Sequence, residues 1–398
     1  MGNEILELEF LKIIVVFLII FTFVKIKNIE SGILSGILSL AILRHVNFKI
    51  FVNSWINGFV LHYDLIFIVF LALLLVNMMG ENKFIERLLN STKTILTNQK
   101  YVLFAIPALI GMLPLPAGAL VSGKMISPLR EKLGIKREEI TFYNYWFRHI
   151  WEHSWPIYPA VILSSALLRY PIYEVIKHQF PFTLFTCIIG LIMLKKIKYE
   201  IKEEKIKDYV GFLISSSPIT IVILLGIFFK IPFYYALLFA VLIILPTMKK
   251  ESIVKVLKSP PIGMTLLIYL IMVFRELIVS SGSINIFVEF LKKYNVPPLL
   301  MIFLLPFVSA VTTGIASGYV GISYPFLLPF LISQGSANWG NIILAYESGY
   351  LGLTLTPMHL CFSTTVKLYK ASFSKVYKIL VLPAFLTFLF AIVLYFLY

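Results

Sequence analysis

Two segments of the chain carry charged residues in otherwise apolar sequence, followed by residues that interrupt helices. In residues 147–159 (FRHIWEHSWPIYP), Arg148 and Glu152 are spaced i, i+4, which would place them on one face of a helix. Pro156 and Pro159 lack a backbone N–H and are predicted to end that helix just after the charges. Residues 345–359 (AYESGYLGLTLTPMH) repeat this plan with Glu347, Gly349, Gly352, Thr354, Thr356 and Pro357.

These charges predict the binding of ions, because a charge in apolar surroundings is costly unless it has a partner or a function. Arg148 is expected to hold an anion and Glu152 to bind a cation or carry a proton. A buried Arg148–Glu152 ion pair is the structural alternative. Glu347 has no basic neighbour in its own segment and is the better proton candidate. With His153, the two glutamates form the predicted coupling-ion set.

Two further segments, 113–118 (LPLPAG) and 312–318 (TTGIASG), are rich in small residues and proline. Small residues let the backbone approach a ligand, and exposed N–H groups can surround an anion. Close packing of helices through small residues is the alternative. The predicted substrate-binding residues come from these segments and the two charged ones: Pro114, Pro116, Ala117, Gly118, Arg148, Thr312, Thr313, Gly314, Ser317, Gly318, Thr354 and Thr356.

The run His149-Ile-Trp-Glu152-His153 also fits the H-x-x-E-H pattern, in which two histidines bind zinc and the glutamate acts as a base. An intramembrane metalloprotease is therefore a remote alternative. That site needs a continuous helix and a third ligand, whereas Pro156 follows closely and the second charged segment has Glu347 without this histidine pair. No metal site and no enzymatic activity are predicted.

The composition defines the environment of these residues. Of the 398 residues, 59% are hydrophobic and 14% are charged, whereas soluble domains have roughly 45–50% apolar and about 25% charged residues. This composition excludes a soluble enzyme, a disordered chain and a fibrous repeat. The net charge of +15 is typical of the lysine and arginine excess in the cytoplasmic loops of membrane proteins, so no nucleic acid partner is expected.

About ten apolar runs are long enough to be transmembrane helices: residues 9–26, 29–43, 58–80, 142–168, 178–195, 211–229, 231–248, 261–281, 340–365 and 377–398. One set of alternate loops carries 25 lysines and arginines and the other set carries 7, which predicts a cytoplasmic first set and an N-terminus outside. Residues 101–127 and 297–333 have both ends on one side by this count. They are predicted to be re-entrant hairpins, whose irregular backbone would line a site.

The two halves of the chain resemble each other. Residues 80–89 (GENKFIERLL) align with 282–291 (GSINIFVEFL), Pro107 with Pro306, and Glu152 with Glu347. Each half would contain five spans and one hairpin, so the halves would have opposite orientations, as in many secondary transporters. The predicted fold is an all-α polytopic membrane protein with two inverted repeats, residues 1–204 and 205–398.

Residues 113–123 (LPLPAGALVSG), 144–163 (NYWFRHIWEHSWPIYPAVIL) and 273–282 (VFRELIVSSG) resemble a ten-helix integral membrane family, domain-of-unknown-function family 401. That family is grouped in the ion transporter superfamily with gluconate permeases and sodium-coupled carboxylate carriers. The resemblance implies a homodimeric elevator transporter. Residues 1–100 and 205–296 would form its scaffold, and residues 101–200 and 297–398 its transport domain.

The resemblance has one departure. The carboxylate carriers have Ser-Asn-Thr at their hairpin tips, where this chain has Pro-Ala-Gly and Thr312-Thr313-Gly314, so the coupling ion stays open between Na⁺ and H⁺. The predicted function is secondary active transport of a small organic anion, a carboxylate or sugar acid, across a bacterial or archaeal cytoplasmic membrane. A sodium/proton antiporter is the alternative. No cofactor is expected other than Na⁺ as the coupling ion.

Overall fold

Helices form almost all regular structure in the computed structural model, which describes residues 3–115, 118–197, 202 and 206–398. In the first half they are α1 (Asn3–Ile26), α2 (Ile29–Leu43), α3 (Phe48–Val60), α4 (Tyr63–Glu81), α5 (Phe84–Ile95), α6 (Gln99–Gly111), α7 (Gly118–Ile126), α8 (Leu129–Lys132), α9 (Arg137–His149), α10 (Pro159–Leu168) and α11 (Ile172–Lys195). In the second half they are α12 (Tyr209–Ile223), α13 (Phe233–Ile244), α14 (Lys250–Lys258), α15 (Ile262–Ser280), α16 (Ser283–Lys293), α17 (Pro298–Thr313), α18 (Ala316–Leu331), α19 (Trp339–Leu355), α20 (Leu360–Tyr369) and α21 (Phe373–Leu397). A π-helical segment (Leu224–Phe228) extends α12, a 3₁₀ turn (Leu245–Thr247) extends α13, and a two-stranded hairpin, β1 (Ile332–Ser333) and β2 (Ser336–Ala337), precedes α19.

Within the described residues, five helical stretches are long and apolar enough to cross a membrane: Tyr63–Glu81, Ile172–Lys195, Tyr209–Phe228, Lys250–Ser280 and Phe373–Leu397. Six shorter apolar helices accompany them. Large apolar side chains face outward on the long helices, as expected for contact with lipid; examples are Leu213, Phe228, Leu382 and Phe396. The helical content agrees with the predicted all-α membrane class.

Three predicted spans have different boundaries. Residues 142–168 are two helices, α9 and α10, and residues 340–365 are divided between α19 and α20. Both divisions contain proline, which removes a helical hydrogen bond and disfavours helical backbone in the residue before it. The predicted span 58–80 begins at Tyr63, because a separate helix, α3, ends at Val60 and the chain turns at Leu61 and His62.

Two helices pack against the next helix along the chain: α6 packs against α7, and α17 packs against α18. At about 1.5 Å per residue, α6 with 13 residues is about 20 Å long, which is shorter than the ~30 Å hydrocarbon core. The first helix of each pair packs on a broken helix, α6 on α9 and α17 on α19, while α7 packs on α20 and α18 on α10. The turns within the pairs are thereby directed at the helix breaks.

Helices of the first half have similar helices in the second half. The residues that precede two such helices give the separation in sequence between the halves. The amphipathic helices α5 and α16 follow Lys83 and Gly282, whose φ angles are 58° and 68°. These positions differ by 199 residues, as do Pro107 and Pro306 inside α6 and α17. The sequence alignment placed Gly80, and not Lys83, opposite Gly282.

Candidate functional site at two helix breaks

The first helix break lies between α9 and α10. The helix ends at His149, before Glu152, so Arg148 and Glu152 do not share a helix face as the i, i+4 spacing predicted. Pro156 has no N–H to donate to the carbonyl of Glu152, and this carbonyl accepts the hydroxyl of Tyr346 at 2.6 Å. A tyrosine from α19 thus satisfies a backbone group that the broken helix leaves free.

The second break lies between α19 and α20. Thr356 caps α19 with extended backbone (ψ 133°), which is the conformation that a following proline favours, here Pro357. The Thr356 hydroxyl donates to the carbonyl of Val311 in α17 at 2.8 Å. The break is thereby bonded to the end of α17, close to the turn of the α17–α18 pair.

Arg148 connects the first break to the α6–α7 turn and to the second break. Its guanidinium donates from Nη2 to the carbonyl of Leu115 at 3.2 Å and from Nη1 to Cys361 Sγ at 3.1 Å. A methyl group at Gly118 would lie 2.5 Å from Nη2, so the small residue at this position leaves room for the guanidinium. Arg148 is 5% exposed, and it has no ion pair with Glu152 in the part of the chain that the structure describes.

The turn of the α17–α18 pair contacts the second break in a similar way. Gly314 has a φ of 64°, a left-handed conformation that favours glycine. The carbonyl of Gly314 accepts a hydrogen bond from His359 Nδ1 at 2.6 Å. A methyl group at Gly314 would lie 2.7 Å from the carbonyl oxygen of Met358. The backbone at Gly314 therefore packs directly against the backbone of the second helix break.

His149 and His359 join the two breaks directly, with their Nε2 atoms 2.9 Å apart. Cys361 completes a group of three whose possible ligand atoms lie within 4.8 Å of one another. Glu152 Oε1 is 3.9 Å from His149 Nε2. Nitrogen and sulfur donors of this kind are the ligands that zinc prefers. No metal site was expected from the sequence, where Pro156 interrupts the helix of the zinc pattern and His359, 210 positions from His149, was not considered as a ligand.

A second buried pair lies beside this group. His153 Nδ1 and Glu347 Oε1 are 2.9 Å apart, and both side chains are fully buried. His153 Nε2 and Glu347 Oε2 have no hydrogen-bond partner among the described residues. The two histidines of the H-x-x-E-H run thus contact different partners, His153 with Glu347 and His149 with His359.

The remaining predicted substrate-binding residues divide into three groups. Pro114 lies in the α6–α7 turn, next to the Leu115 carbonyl that Arg148 contacts, while Pro116 and Ala117 lie outside the described residues. The hydroxyls of Thr312 and Thr313 donate to carbonyls of their own helix, and Thr354 contributes its carbonyl to the Tyr145 hydroxyl. Ser317 contacts Met264, and a methyl group at Gly318 would meet Ile29 and Thr313.

The sequence interpretation missed His359 and Cys361 and considered His149 only within the zinc pattern. The available signal was the position of a histidine and a cysteine directly after Pro357, in the segment that matches the first break. It also missed Tyr346, whose hydroxyl satisfies the broken helix. A tyrosine in an apolar helix carries no local sign of the distant carbonyl that it will contact.

The fold and the helix breaks are those of an α-helical membrane protein with a buried polar centre. The structure is similar to that of the YdaH transporter of Alcanivorax borkumensis, whose crystal structure is described as revealing an unusual topology. The TM-score is 0.58 at 11% sequence identity, over 82% of this chain and 83% of that chain. At this identity the likeness is one of fold.

The chain belongs to the DUF401 family, described as a protein of unknown function, whose profile matches residues 5–397. This confirms the family predicted from residues 113–123, 144–163 and 273–282. No curated protein matches the sequence.

Proposed function

We propose that this protein is a secondary active transporter that moves a small organic anion, a carboxylate or sugar acid, across the cytoplasmic membrane of a bacterium or archaeon. The observation that carries the proposal is the buried guanidinium of Arg148. It lies where the two helix breaks and the α6–α7 turn meet, bonded to a neutral carbonyl and to a cysteine sulfur. A buried cation whose donors are not taken by a carboxylate can bind an anionic substrate strongly.

Two features support an anion as the substrate. The Nε atom of Arg148 is buried and has no hydrogen-bond partner among the described residues. A cavity of about 710 Å³ lies between α4, α10, α11 and α13, on the predicted outer side, and Arg169, Lys230, His62 and Asp64 contribute to its lining. This lining does not include Arg148 or the residues of the helix breaks, but its cationic side chains can attract anions and raise their local concentration.

The coupling cation is proposed to bind at Glu152, Glu347 and His153. A buried carboxylate that shares hydrogen-bonding capacity with a histidine can hold either a proton or a small cation. The free Oε2 atoms of both glutamates and the free Nε2 of His153, within the described residues, provide the unoccupied bonding capacity. H⁺ and Na⁺ are the two candidate coupling ions.

The proposed mechanism is an elevator with two inverted repeats, residues 1–204 and 205–398. The similar order of helices in both halves and the short paired helices α6–α7 and α17–α18 support two repeats with re-entrant hairpins. In this proposal residues 1–100 and 205–296 form the scaffold of a homodimer, and the transport domain consists of 101–200 and 297–398. The N-terminus lies outside. We also propose that the protein is related to gluconate permeases and sodium-coupled carboxylate carriers.

A thermal-shift panel on the purified full-length protein tests this function. Small carboxylates, sugar acids and amino acids are compared with and without Na⁺, at acidic and alkaline pH. A ligand that binds only the folded state, present at a concentration of about 100 times its Kd, adds roughly 2.7 kcal/mol to the free energy of unfolding. We expect one anion class to raise the melting temperature, and Na⁺ or acid to enlarge this shift.

Arg148→Gln should abolish the shift caused by the anion. Arg137→Gln is the matched control, because Arg137 lies at the exposed start of the same helix and should leave the shift unchanged. A shift caused by Na⁺ alone, strongest at high pH, would favour the antiporter and contradict the anion assignment. An anion shift of equal size in Arg148→Gln would contradict the role of the guanidinium.

A further inference from the structure

The hydrogen bonds of His149 and His359 determine where each imidazole carries its proton. Nδ1 of His149 contacts the carbonyl of Tyr145, and Nδ1 of His359 contacts the carbonyl of Gly314. A carbonyl oxygen can only accept, so each Nδ1 must carry a hydrogen. In the neutral imidazole the other nitrogen, Nε2, then presents a lone pair.

The two Nε2 lone pairs are directed at each other across 2.9 Å. Two acceptors at this distance repel unless a cation lies between or beside them. An Nδ1–H bonded to a carbonyl is also the contact that orients histidines that bind metals through Nε2. Both imidazoles thus have the orientation and the tautomer of a metal ligand.

Cys361 supplies a third donor with the matching charge. Its sulfur lies within 4.8 Å of a ring nitrogen of each histidine and accepts a hydrogen bond from the Arg148 guanidinium at 3.1 Å. Cysteine binds metals through its sulfur as the thiolate, and this sulfur lies beside both imidazoles. A proton shared by the two histidines would also relieve their repulsion, and the metal measurements below distinguish this case from a bound metal ion.

We propose that His149 Nε2, His359 Nε2 and Cys361 Sγ bind one Zn²⁺ ion that bridges the two helix breaks. With Zn–N distances of about 2.0–2.1 Å and a Zn–S distance of about 2.3 Å, the donors of a tetrahedral site lie roughly 3.3–3.7 Å apart. The observed separations of 2.9 Å and up to 4.8 Å require side-chain shifts of about 1 Å or less on that geometry.

Glu152 lies beside the proposed zinc ion but is not counted among its ligands, since it is assigned to the coupling cation. Oε1 of this side chain is 3.9 Å from His149 Nε2, and Oε2 has no partner among the described residues. Arg148 donates to the sulfur of Cys361 from outside the coordination sphere. The ion would tie residues of the first half of the chain to residues of the second half.

Metal content and cobalt spectroscopy on the full-length protein test the proposal. Zinc per chain is measured by mass spectrometry of the purified protein, and the affinity for added Zn²⁺ by competition with a chromophoric chelator. The chain contains two cysteines, so in Cys187→Ser the remaining thiol is Cys361. Co²⁺ added to Cys187→Ser should produce a thiolate-to-cobalt charge-transfer band, which assigns the sulfur ligand without any change in the site.

We expect one Zn²⁺ per chain in the wild-type protein and at least a tenfold loss of affinity in Cys361→Ser and His359→Asn. His178→Asn is the matched control, because His178 is also buried and its Nδ1 also donates to a carbonyl, that of Glu174. This variant should bind Zn²⁺ as the wild type does. If the site variants do not fold, the cobalt spectrum of Cys187→Ser decides the question.

Three results would overturn the proposal. The first is the lack of a thiolate-to-cobalt band in Cys187→Ser. The second is wild-type affinity for Zn²⁺ in Cys361→Ser or His359→Asn. The third is a wild-type protein that binds no Zn²⁺, or that retains a different transition metal in its place, which would refute the zinc assignment.

Discussion

Replacement of Gly314 by alanine tests the contact between the α17–α18 turn and the second helix break. The left-handed backbone at Gly314 costs an alanine about 1–2 kcal/mol. The added methyl group would also lie 2.7 Å from the Met358 carbonyl oxygen and 3.0 Å from the His359 nitrogen. These are backbone atoms, so the break itself must move, and overpacking of this kind costs about 1–3 kcal/mol.

Movement of the break also weakens the hydrogen bond from His359 Nδ1 to the Gly314 carbonyl, which contributes about 0.5–1.5 kcal/mol. Gly282 provides the matched control. Its φ of 68° is close to the 64° of Gly314, and a methyl group there meets no described atom within 4 Å. Gly282→Ala should therefore lower the free energy of unfolding only by the penalty for the left-handed backbone. Gly314→Ala should lower it by roughly 1–4 kcal/mol more.

The assay is a denaturant titration of the detergent-solubilised variants, followed by far-UV circular dichroism. The binding of the stabilising anion and of Zn²⁺ is measured on the same samples. We expect Gly314→Ala to weaken both ligands, since His359 moves with the break, and Gly282→Ala to bind both normally. Equal destabilisation of the two variants, within about 0.5 kcal/mol, would refute the argument from backbone contact.

Two further predictions concern the first half of the chain and the loop before α12. In Gly118→Ala the methyl group displaces the flexible end of Arg148, so stability should change little while anion affinity falls about 10- to 100-fold, the equivalent of one lost hydrogen bond to a charged group. Gly80→Ala is the control, because its methyl group has its nearest contact at 3.8 Å, and it should bind the anion as the wild type does. Unchanged affinity in Gly118→Ala would contradict the prediction. The pKa of Asp208 is lowered from its ordinary value of 3.8, because the Ser91 hydroxyl and the backbone N–H of Gly211, in the first turn of α12, donate to its carboxylate. Since a depressed pKa stabilises the folded state above the unfolded pKa and this contribution is lost as the pH falls through the folded pKa, Asp208→Asn should be less stable than the wild type at neutral pH, with a gap that closes below about pH 4; a gap independent of pH in thermal melts would disprove this.

Local sequence patterns were sufficient to predict the class of the protein and the places where its helices are interrupted. The apolar runs define the helices because a buried backbone must satisfy its own hydrogen bonds. The prolines at 156 and 357 mark the breaks because proline removes a donor wherever it stands. Both effects depend on residues within one or two helical turns, so they can be recognised without the fold.

The details of the candidate site depended on the tertiary structure. The i, i+4 spacing predicted that Arg148 and Glu152 share a helix face, yet the helix ends between them and the guanidinium contacts Cys361 across 213 positions of sequence. His153 was grouped with both glutamates, and the structure shows that it contacts Glu347, 194 positions away. Each of these partners is a single side chain in a distant helix, with no local pattern to identify it.

The membrane environment, the helices and the breaks that expose backbone groups could therefore be predicted from local patterns in the chain. Which charged and metal-binding side chains meet at those breaks depends on the packing of distant helices. This difference follows from the range of the interactions. Helix formation and helix interruption are decided by neighbours along the chain, whereas the group of His149, His359 and Cys361 exists because α9 and α20 pack together.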